Sequence, residues 1–304
     1  MEYKKIIRNQ KNRFRILKFL SWIPDALMIQ MQYRIKMGFW PNLVCPKRFS
    51  EKLQVYKLKY RNQLMHQCVD KYEVRNFVRE RGLGYILNDL YGVYDRAEDI
   101  DYEKLPYQFV AKTTDGAGGC NIKIVENKYC LNFDKFQFDL NNWLGMKDIN
   151  AGREWAYTGI KRPRIIIEKL LKQEGGKLLD YKFFCFNGEA KFLYIAQDMV
   201  NQHAKAAFIN MDWEIMPFKR LDYAQLEELP PRPSNFDEMR KVAEVLSSGF
   251  PHVRVDLYDI QNKVIFGELT FYNASGYMKL SPDKYDYIIG DMFHLPTNPL
   301  GNNG

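Results

Sequence analysis

Five short stretches of this 304-residue chain carry side chains of the kinds that bind phosphate or metal. The first is Lys112 followed by Asp115-Gly116-Ala117-Gly118-Gly119. Glycines let backbone N–H groups approach phosphate oxygens, and a lysine supplies a point charge. A glycine-rich hairpin turn beside a surface lysine explains the same residues. The run is neither a P-loop nor a dinucleotide fingerprint, because no helix opens after the glycines. The second stretch, Glu168-Lys169-Leu170-Leu171, follows a buried apolar run. A carboxylate there can accept a hydrogen bond from an adenine amino group, with backbone groups reading the ring edge; a charged strand end is the plain alternative. The other three are pairs two residues apart: Asp180 with Lys182, Arg254 with Asp256, and Glu268 with Thr270. Residues i and i+2 of a strand share a face. Three such pairs beside apolar runs suggest a polar cleft lined by sheet.

The last two pairs can be related by register. His252 to Ile260 alternates, with Val253, Val255 and Leu257 on one face and Arg254, Asp256 and Tyr258 on the other. Lys263 to Phe271 alternates as well, grouping Val264, Phe266, Glu268 and Thr270. With Gln261, Asn262 and Lys263 as a three-residue loop, Ile260 pairs with Val264. Asp256 then sits opposite Glu268, and Arg254 opposite Thr270. Two facing carboxylates repel, so the arrangement calls for a cation. Arg254 is a partial answer, and magnesium, held by one or two carboxylates plus phosphates, a fuller one. A two-residue loop would separate the carboxylates by one position.

The elements that must position these groups are legible in part. Asp70 to Gly82 has helical apolar spacing and ends on a glycine fit for a C-cap. Tyr107 to Lys112 reads as a strand, Asp115 to Gly119 as a turn, and Asn121 to Val125 as the returning strand. Ile165-Ile166-Ile167 is a buried β-branched run. Tyr181–Phe186 and Ala190–Ala196 flank Asn187-Gly188, a strong hairpin signal. Pro231 to Ser234 precedes a helix with Met239, Val242, Ala243 and Leu246 on one side. Strands mixed with helices indicate an α+β or α/β fold.

Composition narrows the classes. The net charge is +8, yet residues 1–18 hold seven Lys or Arg and one Glu, so most of the excess belongs to that segment. This argues against a nucleic-acid partner for the body of the protein. The five cysteines are scattered, without a Cys-x-x-Cys, and read as reduced, mostly buried thiols. No apolar run is long enough to span a bilayer, and no small-residue cleavage site follows the basic start. The expectation is a cytoplasmic protein. Residues 1–40 read as helical, basic first and then apolar; they suit an anionic membrane surface and equally a helix packed on the body.

In order, these pieces resemble the ATP-grasp superfamily, and within it the TupA-like branch linked to teichuronopeptide and capsule polysaccharide synthesis. The likeness rests on PKRFSEKLQVYKL at 46–58, DKYEVR at 70–75, DYKFFCFNG at 180–188, VRVDLY at 253–258 and FGELTF at 266–271. It implies an α+β fold with ATP bound between two α+β subdomains. The segments would be a basic amphipathic stretch at 1–40, a preceding region at 41–105, a small lid subdomain at 106–172, and a large subdomain with the magnesium site at 173–304. It further implies that Lys71 and Lys112 contact ATP phosphates while the loop with Gly116, Gly118 and Gly119 closes over them. Glu168 and the backbone of Lys169 and Leu170 would bind adenine, and Asp180 would lie near ribose and phosphate. Lys182 and Arg254 would serve the transferring phosphate, with Asp256, Glu268 and Thr270 at the metal. Many ATP-grasp enzymes have Asn where Thr270 stands; Asn273 is the other candidate third ligand.

The activity so implied is an ATP- and Mg²⁺-dependent carboxylate–amine ligase acting through an acyl phosphate. Its partners would be a glycan, or a nucleotide- or lipid-linked sugar, bearing a carboxylate, and an amino acid or amine. The site would lie in the cytoplasm, with a peripheral contact at the inner membrane face through residues 1–40. A glycosyltransferase, or a non-catalytic membrane-associated ATP-binding protein, are the rival readings. The first would use a nucleotide-sugar and leave ATP untouched.

Overall fold

The computed structural model describes residues 16, 17, 19–116, 121–145, 151–173, 178–197, 205–226 and 228–297. Two sheets organise them. The smaller has four strands in the order β1-β4-β2-β3, all antiparallel: β1 (Leu90–Tyr94), β2 (Phe109–Thr113), β3 (Ile122–Val125) and β4 (Ile165–Glu168). The larger has six, beginning β11-β10-β5-β6-β7 and closed by a short edge strand. These are β5 (Asp180–Phe186), β6 (Glu189–Gln197), β7 (Lys205–Asn210), β10 (His252–Ile260) and β11 (Lys263–Thr270). The edge strand is β9 (Ala224–Gln225), and β8 (Lys219–Arg220) pairs instead with β12 (Leu280–Ser281).

Each sheet has its own core. Phe109, Ala111, Ile165 and Ile167 of the small sheet pack with Phe136 and Leu140 of helix α5 (Phe133–Gly145). Phe136 and Leu140 are four apart, so both lie on one side of that helix. The large sheet is covered on one face by α6 (Phe236–Ser247), whose Met239, Val242, Ala243 and Leu246 are buried as the spacing indicates. Helices α2 (Phe49–Lys59), α3 (Leu64–Val69) and α4 (Val74–Glu80) share the large core through Phe49, Leu53, Met65 and Phe77. Residues 41–105 therefore serve both units: they supply β1 to the small sheet and three helices to the large core. The remaining helices are α1 (Asp25–Met37) and α7 (Lys284–Met292).

The Asn187-Gly188 turn forms as expected, with φ of +50° and +83°, and joins β5 to β6. Gly82, at φ +75°, follows α4 in the conformation that favours glycine. The thiols differ from expectation. Cys68 and Cys185 are buried, but Cys45 and Cys130 are exposed; all four are free, and Cys120 lies outside the described residues. No described helix is long and apolar enough to cross a membrane.

Candidate functional site

The β10–β11 hairpin sets the geometry, by a route the alternation did not give. Gln261 and Asn262 both have positive φ, +53° and +60°, and form a two-residue turn that pairs Ile260 with Lys263. The expected three-residue loop is absent. By itself that turn would put Asp256 opposite Gly267. A bulge intervenes: Leu257 pairs with Phe266, Asp256 pairs with Glu268, and Gly267 is the extra residue. A Cβ on Gly267 would stand 2.9 Å from the Asp256 carbonyl oxygen, so glycine is what lets the strands close there. The two carboxylates thus face each other, and Arg254 faces Thr270. The bulge also overturns one expectation: Phe266 pairs with Leu257 and joins the core, so it is not grouped with Glu268 as simple alternation had it.

A dense polar network surrounds this pair. Asp256 is 1% exposed, and so buried a charge must be paired. Arg254 donates to it from Nε and Nη2 at 2.6 Å each, and Lys182, directly cross-strand on β5, donates at 2.5 Å. Lys182 also donates to Asp180. Arg254 Nη2 reaches Glu268 Oε1 at 3.1 Å and Thr270 Oγ1 at 2.9 Å, and the Thr270 hydroxyl donates to the same Glu268 oxygen. Glu268, with 42% of its side chain exposed, is the open member. Asn273 faces Arg254: its Oδ1 accepts from Nη1 at 3.1 Å, and its amide NH₂ meets His252 Nε2 at 2.8 Å. His252 Nδ1 meets the Cys185 carbonyl at 2.9 Å. A neutral imidazole with its proton on Nδ1 satisfies both contacts. Burial, which lowers the His252 pKa to about 3, favours that form.

The small sheet presents a second cluster. Asp70 accepts hydrogen bonds from the backbone N–H groups of Tyr72 and Glu73, fixing the turn into α4. That turn is stitched to the end of β2: Lys71 N–H donates to the Thr114 carbonyl at 3.0 Å, and the Lys71 ammonium donates to the Gly116 carbonyl. Lys112 on β2 pairs with Glu168 Oε2 on β4 at 2.6 Å, while Arg75 takes Oε1 at 3.1 Å. Both oxygens of Glu168 are thus engaged by cations. The Lys169 N–H donates to the Asp89 carbonyl and the Lys169 carbonyl accepts from the Asn88 side chain. Leu170 follows, half-buried. Gly116 is buried at the end of β2; Gly118 and Gly119 lie outside the described residues.

Lys71 connects the two clusters. Burial lowers its pKa, and Glu268 is the strongest of the charges that oppose the lowering. Burial likewise pushes the Glu268 carboxyl up, but Lys71, Arg254 and Lys182 together outweigh it and hold the group at about 2. For Lys182, Asp180 and Asp256 outweigh the opposing effect of burial and keep the amine charged. Asp180 is pushed up to about 6 by burial, with the like charge of Asp256 adding to the rise and Lys182 and Arg254 opposing it, and Asp180 in turn is the main influence raising Tyr258.

The residues suit a magnesium–nucleotide group. Asp180 Oδ1, on the large sheet, is buried without a partner, as are Thr113 Oγ1 and Asp115 Oδ1 beside the glycine-rich turn. Orphaned oxygens of this kind call for a donor or a cation. Among the described residues no three His, Cys, Asp or Glu converge as a closed metal cage. Two carboxylates completed by phosphate oxygens match magnesium better than zinc. Sequence reasoning passed over Arg75 and His252. Arg75 stands within the quoted DKYEVR string, and only the fold reveals that it reaches Glu168, 93 positions away.

Comparison with known proteins adds to this geometry. A family model described as "TupA-like ATPgrasp" matches residues 51–294. No curated protein matches the chain. Among solved structures, a D-alanine–D-alanine ligase from Bacillus anthracis is similar at 18% identity and TM-score 0.42, covering 74% of this chain and 67% of its own. The D-alanine–D-alanine ligase from Helicobacter pylori is similar at 14% identity and TM-score 0.45, covering 77% and 60%. N5-carboxyaminoimidazole synthetase from Staphylococcus aureus, complexed with ADP, is similar at 14% identity and TM-score 0.38, covering 76% and 53%. The chain thus spans only 53 to 67% of the length of these three structures.

Proposed function

The chain belongs to the TupA-like ATP-grasp family, and from that premise we propose that it is an ATP- and Mg²⁺-dependent ligase joining a carboxylate to an amine. The carboxylate would be that of a uronic acid in a surface polysaccharide or its precursor, or of an amino acid, with the acyl phosphate as the activated species. The observation that carries the reading is the in-register pair Asp256–Glu268, braced by Arg254 and Lys182.

Each residue has a role in this reading. Lys71 and Lys112 hold phosphate oxygens at the small-sheet wall. Asp256 and Glu268 hold the metal, with Thr270 beside them. Arg254 and Lys182 neutralise charge on the phosphoryl group as it transfers, a contribution made by positioning rather than by covalent chemistry. Bound nucleotide supplies the phosphoryl group that makes the carboxylate an acylating agent. Glu168, engaged by Lys112 and Arg75, supports the wall on which adenine would lie. Water must be kept from the acyl phosphate, which it would hydrolyse. A reaction that consumes ATP belongs on the cytoplasmic side of the membrane.

The test incubates the protein with Mg-ATP, candidate amino acids and uronate-containing glycans, followed by mass spectrometry of products and nucleotides. An amide together with ADP and phosphate is expected. AMP and pyrophosphate would replace the acyl-phosphate route with adenylation, and consumption of a nucleotide-sugar with ATP untouched would replace ligation with glycosyl transfer.

A further inference from the structure

Helix α1 is two-sided in an unusual way. Its inner side is built into the protein: Met28, Ile29, Gln32, Tyr33 and Met37 are buried. Gln32 donates to the Ala151 carbonyl at 2.8 Å, and the Tyr33 hydroxyl meets Ser50 Oγ at 2.8 Å. Arg153 latches the chain just before the helix, bonding the Leu20 carbonyl and the Asp25 carboxylate. The orientation of α1 is therefore fixed, and with it the side that faces outward.

That outward side carries an apolar line, with Asp25, Gln30 and Arg34 at its margins. Leu27, Met31 and Ile35 are 50%, 37% and 51% exposed, and their four-residue spacing stacks them along one line of the helix. A solvated helix face ordinarily carries charged residues. The chain before the helix adds Phe19 and Trp22, 78% and 76% exposed, and the chain after it adds Trp40, 60% exposed. Immediately upstream in the sequence, residues 1–18 carry seven Lys or Arg against one Glu.

We propose that this outer face of α1, with its flanking aromatics, docks on a bilayer containing anionic lipid. Apolar side chains in line, tryptophan beside them and a strongly cationic segment next along the chain are the three features that such a surface selects. The first enters the headgroup–acyl boundary, the second prefers that depth, and the third is drawn to acidic headgroups. The cationic segment gives the face its occupant: a second copy of this chain would bring like charge to like charge.

The experiment is co-sedimentation of the full chain with vesicles, using wild type and the triple variant L27Q/M31Q/I35Q. All three residues are exposed, so folding is retained, as near-UV circular dichroism checks. Wild type should sediment with phosphatidylglycerol-containing vesicles and be released by salt. The bound fraction should fall at least about tenfold in the triple variant and on pure phosphatidylcholine. Wild type remaining in the supernatant, equal binding to both lipids, or a triple variant binding like wild type would each overturn the proposal. So would a wild-type dimer that the triple variant converts to monomer without any vesicle binding, which would assign the face to a second copy.

Discussion

The two polar clusters use the same kinds of side chain to opposite ends. At the small sheet, two cations, Lys112 from β2 and Arg75 from helix α4, converge on one carboxylate, Glu168. On the large sheet, two cations, Lys182 and Arg254, serve three carboxylates, Asp180, Asp256 and Glu268. The first cluster has positive charge to spare and suits an anion; the second has negative charge to spare and suits a cation. A magnesium–triphosphate presents both signs, and the charges of Lys71 and Glu268 influence each other across the two clusters. Neither cluster alone offers both signs; a magnesium–triphosphate would need both.

The comparison breaks most readily at its acidic end. Asp256→Asn and Glu268→Gln should each lower magnesium-dependent turnover by ~10²–10³-fold, the usual loss when a preorganised charge is removed. They should differ in stability. Asp256 is buried under two cations, so Asp256→Asn should also cost about 3–5 kcal/mol, read by chemical denaturation. Glu268 lies partly open, so Glu268→Gln should lose less stability than Asp256→Asn, though not none, because its low pKa is itself a stabilising contribution at neutral pH. Near-wild-type turnover in either variant removes that residue from the metal site.

The basic end is tested by affinity. Lys71→Ala and Lys112→Ala should each weaken ATP binding by about 1.5–3 kcal/mol, the worth of a charge-assisted contact, measured by calorimetry. Unchanged affinity in both would mean that the glycine-rich turn is only a turn and that the small sheet contributes no phosphate contacts.

Gly267, beside Glu268 at the acidic end, marks where the sequence was legible and where it was not. Alternation placed Asp256 opposite Glu268, and the structure has them there, but the loop length used to reach that pairing was one residue too long. A shorter turn and a bulge offset each other. Period-two patterning cannot detect that combination, because a bulge reverses the faces beyond it. Phe266 is the residue that pays out the difference, buried where the pattern had it lining the cleft. The Asn187-Gly188 hairpin and the amphipathic α6 were legible because their signals are local. Arg75 and His252 were not, since their partners depend on how distant segments pack. Gly267→Ala should cost about 1–3 kcal/mol, as overpacking does. Because the Asp256 backbone must give way, the magnesium concentration needed for half-maximal turnover should rise as well. A stability loss without that rise would separate the bulge from the metal site.

The smallest effect expected comes from His252, behind the acidic cluster, and it appears as a pH dependence. His252 is fully buried and stacked on Phe186, and its pKa falls from 6.5 to about 3 because burial disfavours the charged form. In the unfolded chain the imidazole regains its ordinary pKa. Between those values the unfolded state binds the extra proton, so this residue's contribution to stability is complete above pH 6.5 and is lost as pH falls toward 3. Asp180 acts in the opposite direction over part of that range, because its raised pKa makes the folded state the better proton acceptor there. Glu268, held low, begins to lose its contribution only below its ordinary value of 4.5. The His252 effect is therefore best isolated as a difference between two proteins. His252→Gln keeps a side-chain donor and acceptor but cannot titrate. Relative to that variant, wild type should lose about 1.4 kcal/mol on going from about pH 8 to about pH 5.5, one pH unit below the free imidazole value. Urea denaturation at the two pH values measures it. Parallel pH profiles for the two proteins would mean that His252 is not held neutral, and that the Asn273 amide facing Arg254 is oriented by something else.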